Sequence, residues 1–193
     1  MPHAVAALSD RGAVSGKIKG VVAIDGKTAR RSREEAGHIK PIHTVSAWAV
    51  ESSLVLGQLC VDEKTNGIKT IPELLDILCL EGCIVTIDAM GTQKEAARKI
   101  IHKNADYLAG IGACVSTVTE KGNTITAINY AIYSRKGMTA AEYGKSVRAH
   151  WGIENSLHWV LDTAFREDES RIRAGNAAEN MNMARHIGIN LLK

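Results

Sequence analysis

The chain has 193 residues, 45% of them hydrophobic and 23% charged, with a net charge of +3. That suffices for one domain with a sizeable core, and the lack of Pro-rich or low-complexity stretches argues against a disordered chain. The charge is too small to identify a nucleic-acid binder by itself and no apolar run approaches the roughly 20 residues of a membrane span. Cys60, Cys79, Cys83 and Cys114 lie in apolar contexts without a signal-peptide pattern, which points to reduced, buried thiols in a soluble cytoplasmic protein.

Residues 1–20 show no hydrophobic period and read as a flexible leader before a domain over 21–193. β-like runs are expected at Gly20 to Asp25, His43 to Val50 and Leu54 to Val61, the last two close enough for a hairpin turn, so an antiparallel meander is predicted. In "KTIPELLDILCLEG" the spacing of Ile71, Leu74, Leu75 and Leu78 predicts a helix with Pro72 in its first turn and Gly82 as a stop. "CIVTIDAM" reads as a strand buried on both faces. A helix from about Gln93 to His102 and a strand at "ADYLAGI" would complete a β-α-β unit with a parallel pair. A hairpin follows over about 113–134 with "EKGN" as its turn. Thr139 can cap a helix running to about Phe165, and "AAENMNMARHIGINLLK" supplies a last one.

Asp25 and Asp88 each end a β-like run in the string Ile-Asp followed by a small residue. If those strands are sheet neighbours, the two carboxylates lie side by side, where their repulsion must be offset by a cation or a raised pKa. Hard oxygen donors in that arrangement favour Mg²⁺ or Mn²⁺. His150, Glu154, His158 and Asp162 follow at four-residue intervals along one helix face, so Glu154 can supply a third carboxylate. Three such acids can hold two ions about 4 Å apart, the arrangement that serves in-line phosphodiester chemistry.

Five segments, "VVAIDGKTARRS", "IPELLDIL", "CIVTIDAMGTQKEAARKI", "RAHWGIENSLHWVLD" and "FREDESRIRAGNAAENM", occur in the order found in the DDE transposases of bacterial insertion sequences, and the chain from Val21 onward resembles the ISAs-type branch that includes the H-repeat-associated proteins. The resemblance implies an α/β, RNase H-like mixed five-stranded sheet flanked by helices, with a shortened β-hairpin insertion and C-terminal helices. It also implies Asp25, Asp88 and Glu154 as a metal-binding catalytic triad for two Mg²⁺ or Mn²⁺ ions, and DNA transposition by strand cleavage and 3′-hydroxyl strand transfer at insertion-sequence ends. The sequence departs from the family in two places. Only about twenty residues precede the first strand, and Gly110 passes straight into Ile111 where relatives continue into a longer insertion, which reads as an internal deletion.

Beside such a site, cations next to the first Asp would neutralise DNA phosphates. Lys27 and Arg30, from a cluster that includes Arg31 and Arg33, are the leading DNA-binding candidates, followed by Arg148, His150, His158, Arg171 and Arg173. DNA at the element's ends and at its target would be the partner, a homodimer is an open option, and no membrane role is expected. Trp151 and Trp159 are expected to be core anchors more than base-stacking residues. Two alternatives stay open: an inactive transposase remnant that folds and at most binds DNA, and a non-enzymatic protein-interaction domain whose acids are surface residues.

Overall fold

A computed structural model describes residues 5–6, 20–32, 41–61, 67–88, 90–105, 110–120, 123–133 and 137–192. The elements in chain order are β1 (Val5–Ala6), β2 (Gly20–Thr28), a 3₁₀ turn (Arg30–Ser32), β3 (His43–Ala49), β4 (Leu54–Cys60), α1 (Gly67–Ile77), β5 (Cys83–Ile87), α2 (Lys94–His102), β6 (Gly110–Glu120) and β7 (Asn123–Tyr133). They continue with α3 (Ala140–Ile153), a π turn (Glu154–His158), α4 (Trp159–Thr163), a 3₁₀ turn (Glu167–Glu169) and α5 (Ala177–Leu191). Four long strands and the two-residue β1 form a mixed sheet in the order β1-β4-β3-β2-β5, and β6 pairs with β7 in a separate two-stranded sheet.

β2, β3 and β4 form the expected antiparallel meander, and β5 joins β2 in parallel, with Gly20 opposite Cys83 and Ile24 opposite Ile87. Alternation along β2 sends its side chains to two different cores. Val22 and Ile24 pack with Leu74, Leu75 and Ile100 of α1 and α2, whereas Ala23 packs with Ile153, Leu157, Leu161 and Ile189 on the other face. Helices therefore cover both faces. Asp25 and Lys27 share the parity of Ala23, which turns them toward the face covered by α3, α4 and α5.

Several expectations need correction. The strand expected at "ADYLAGI" falls mostly on residues that are not described. Residues 106–109 lie outside the described residues, and Gly110 and Ile111 pair with Tyr133 and Ile132 at the base of the hairpin. A fifth strand stands at the β4 edge of the sheet, where Val5 and Ala6, inside the stretch read as a leader, pair antiparallel with Gln58 and Gly57; apart from these two and Gly20, residues 1–20 lie outside the described residues. α1 begins at Gly67, so Pro72 stands inside the helix and not in its first turn. Cys79 is exposed, unlike buried Cys83 and half-buried Cys60, and the side chain of Cys114 is outside the described set. Trp151 and Trp159 are 60% and 63% exposed, because Ile153, Leu157 and Leu161 occupy the inward line of that helix; the buried tryptophan is Trp48 on β3.

The helix that carries Glu154 starts as its sequence predicts. The Thr139 hydroxyl accepts from the Glu142 N–H, and the Glu142 carboxylate accepts from the Thr139 N–H, a complete capping box. Thr139→Ala is expected to lower unfolding free energy by about 1 kcal/mol in urea denaturation, without changing the slope.

Candidate metal centre

The parallel register carries Asp25 and Asp88 to neighbouring positions. Ile24 stands opposite Ile87, and the next residue on each chain is the aspartate. On β5, Thr86 lies opposite Ala23 and its hydroxyl meets His150 Nδ1 at 3.0 Å, so α3 crosses the sheet just below the two acids.

Glu154 arrives from that helix through a local change of winding. A residue four positions on in an α-helix overshoots a full turn by about 40°, so a stripe at four-residue steps drifts around the axis. The π turn at Glu154–His158 winds less per residue and takes the drift back. His150, Glu154, His158 and Asp162 consequently meet the sheet along one line: His150 contacts Thr86, His158 approaches Asp25, and Asp162 receives Lys27.

The centre of this line is a cluster of Asp25, Glu154 and His158 in which one ligand atom from each lies within 4.8 Å of the others. His158 Nδ1 is 3.3 Å from Glu154 Oε2 and 3.5 Å from Asp25 Oδ2. Burial raises the Asp25 carboxyl to about 7, reinforced by its hydrogen bond to Glu154 and by the charges of Glu154 and Asp88. For Glu154, burial pulls upward, but the hydrogen bond from Asp25 and the two imidazoles outweigh it and the carboxyl sits below its usual range. Burial lowers both His158 and His150, against the pull of nearby carboxylates. The free site thus holds a proton between two carboxylates that can leave near neutrality.

Asp88 stands apart from that trio. Its Oδ1 accepts from the Gly91 N–H at 2.6 Å, and a side chain at position 91 would come within 2.9 Å of that oxygen, so glycine lets the turn close on the carboxylate. The charge of Asp88 still acts on Asp25 and on His150.

The basic residues divide. Lys27 is turned inward: its Nζ donates to Asp162 Oδ1 at 2.7 Å and lies 3.9 Å from both Glu167 Oε2 and Asp168 Oδ1, with the side chain 13% exposed. Glu167 is buried, accepts from Asn182 Nδ2 at 2.8 Å and has Arg185 Nη1 at 3.7 Å. Burial raises the Glu167 carboxyl, against the cations of Lys27 and Arg185 and the amide of Asn182. Sequence reasoning missed this clamp, although strand alternation already put Lys27 on the side of Asp25 and Asp162 closed the helix stripe. Arg30 is mostly exposed, with its N–H donated to Asp168 and its Nε 3.6 Å from the same carboxylate. Arg148 and Arg171 are exposed, Arg173 is half-buried, and Arg33 lies outside the described residues.

Asp25 and Asp88, on a parallel pair of strands, are thus faced by a helix that brings a third acid. Residues 16–191 match the family model described as "Transposase DDE domain", and the chain belongs to that family. It is 35% identical to "Putative transposase YncI" of Escherichia coli O157:H7 over 90% of this chain and 62% of that protein, and 32% identical to "H repeat-associated putative transposase YhhI" of Escherichia coli strain K12 over 90% and 64%. A third relative, "H repeat-associated putative transposase YbfD" of strain K12, is 35% identical over 75% of this chain and 55% of its own. The chain therefore spans less than two thirds of the length of these relatives. The alignment to YncI runs over 241 positions but takes in 90% of 193 residues, about 174, so roughly 67 positions of the relative have no counterpart here. No solved structure matches the chain.

Divalent metal is what this family normally uses, and the residues fit it. Two carboxylates and an imidazole converge, and the one proton shared by the acids is removable near pH 7. Among the described residues no helix is long and apolar enough to cross a membrane.

Proposed function

We propose that this chain carries the catalytic centre of an insertion-sequence transposase, with Asp25, Asp88 and Glu154 as the residues that hold two Mg²⁺ or Mn²⁺ ions. The observation that supports this most is the close cluster of Asp25, Glu154 and His158, formed where Asp88 follows the β5 residue paired with Ile24. Bound there, divalent ions supply charge stabilisation at a phosphodiester and lower the pKa of the attacking hydroxyl. Water would be the nucleophile in strand cleavage and the freed 3′-hydroxyl in strand transfer.

Around the acids, His158 stands against Glu154 and Asp25, and His150 fastens the helix to Thr86. Among the described residues, the exposed side chains of Arg30, Arg148 and Arg171 are candidates for contact with DNA phosphates. Trp151 and Trp159, exposed to either side of Glu154, offer faces on which an unpaired base could stack, the role given second place in the sequence. Lys27 fits this scheme as a support for the strand end.

The roughly 67 unmatched positions favour a second reading, a remnant that folds and binds metal or DNA without turnover. A Mn²⁺ titration of thermal stability tests the first step, since an ion that binds only the folded state raises the melting temperature by mass action. At a hundredfold excess over the dissociation constant the expected rise is several degrees, and it should vanish in Asp88→Ala. No rise in the wild-type chain would overturn the metal-centre reading, and a rise without cleavage of end-containing DNA would select the remnant.

A further inference from the structure

His158 stands out among the residues around the centre because its ring is 6% exposed and its Nε2 has no hydrogen-bond partner among the described residues. Its Nδ1 faces two carboxylate oxygens, at 3.3 Å and 3.5 Å. A proton bridges these atoms in the free site, and a cation can take its place. His150, the other imidazole on the stripe, already has Nδ1 at hydrogen-bond distance from Thr86 Oγ1. Asp88 has one oxygen engaged with the Gly91 N–H and is not part of the close trio.

We infer that His158 is itself a metal ligand, so that the ion beside Glu154 is held by Asp25, Glu154 and His158 in a mixed nitrogen and oxygen site. The inference rests on the metal-centre reading above and sharpens it. Imidazole suits Mn²⁺ and the later transition metals better than Mg²⁺, which prefers oxygen alone, so His158 sets the metal preference of the site. The imidazole reaches the ion because the π turn places His158 under Glu154 on the same line.

The experiment is pulsed electron paramagnetic resonance of Mn²⁺ bound to the full chain, prepared with ¹⁴N- and ¹⁵N-histidine. Nitrogen coupling that changes with the histidine isotope is expected in the wild type and in His150→Asn, and should be lost in His158→Asn. The ratio of Mn²⁺ to Mg²⁺ affinity should fall about tenfold in His158→Asp, which replaces imidazole by carboxylate. Bound Mn²⁺ without histidine coupling in the wild type would overturn the role of His158 and leave the metal centre standing. Coupling that survives in His158→Asn and disappears in His150→Asn would overturn it as well. If Mn²⁺ stays in its free aqueous form, both the ligand assignment and the metal-centre reading fall. Because the decisive spectrum is that of the wild type, a variant that fails to fold does not spare the inference.

Discussion

Asp25→Asn is expected to make the metal-free protein more stable than wild type at pH 8, by about 2–4 kcal/mol in urea denaturation. The unfolded carboxyl has its ordinary value of 3.8, while burial and the neighbouring Glu154 hold the folded one at about 7. A carboxyl raised on folding costs nothing below the unfolded value, where both states are protonated. Its cost grows as pH rises from about 4 to about 7 and is fully present above that. An amide in the same place carries no such cost, so the two proteins should be alike near pH 4 and separate progressively up to pH 7. The same substitution removes an oxygen ligand and should abolish the Mn²⁺-dependent rise in melting temperature. A loss of stability in Asp25→Asn, or a difference that does not change with pH, would show that the carboxyl is not held among other acids.

Lys27→Met should act in the opposite direction and lower stability by about 3 kcal/mol, since removing one partner of a buried ion group leaves the other charge uncompensated. The charge left behind is that of Glu167, which would keep only Arg185 at 3.7 Å and the Asn182 amide, while Asp162, more exposed, turns to water. Adding Glu167→Gln to Lys27→Met should restore part of the loss, because the double change removes both the cation and the buried anion it answered. A role for Lys27 on DNA phosphate predicts something else: unchanged stability, weaker DNA binding, and a salt dependence of binding shallower by about one ion. Equilibrium unfolding beside DNA titrations at several salt concentrations separates the two.

These contrasts show which parts of the molecule its residues disclose. Local chemistry was legible: Thr139 with Glu142 as a helix start, "EKGN" as a hairpin turn, and two Ile-Asp strings on neighbouring parallel strands, although β2 does not end at Asp25 as expected but runs on to Thr28. These depend on residues a few positions apart or on one repeated pattern. Lys27 was not legible as a clamp, because its partner Asp162 lies 135 residues away and a cation in an Arg-rich loop carries the same signature whether it faces DNA or a carboxylate. Trp151 and Trp159 misled because a large aromatic favours burial on average, while Ile153, Leu157 and Leu161 had already filled the inward line of the helix. The strands at the margins were less legible for a related reason. The last two residues of "ADYLAGI" pair into the hairpin, and the β4 edge of the sheet carries a dipeptide with no pattern of its own.

The π turn at Glu154 has a bearing on how this helix can vary. Below it the helix docks on Thr86, and above it on Lys27, so the two ends are fastened to different strands and the turn sets the phase between them. Within it Asn155 is exposed and Ser156 half-buried, so other small polar residues can replace them with little penalty. Deleting either one would relax the turn to an ordinary helix and rotate Asp162 away from Lys27, so along this stretch the number of residues is held more tightly than their identity.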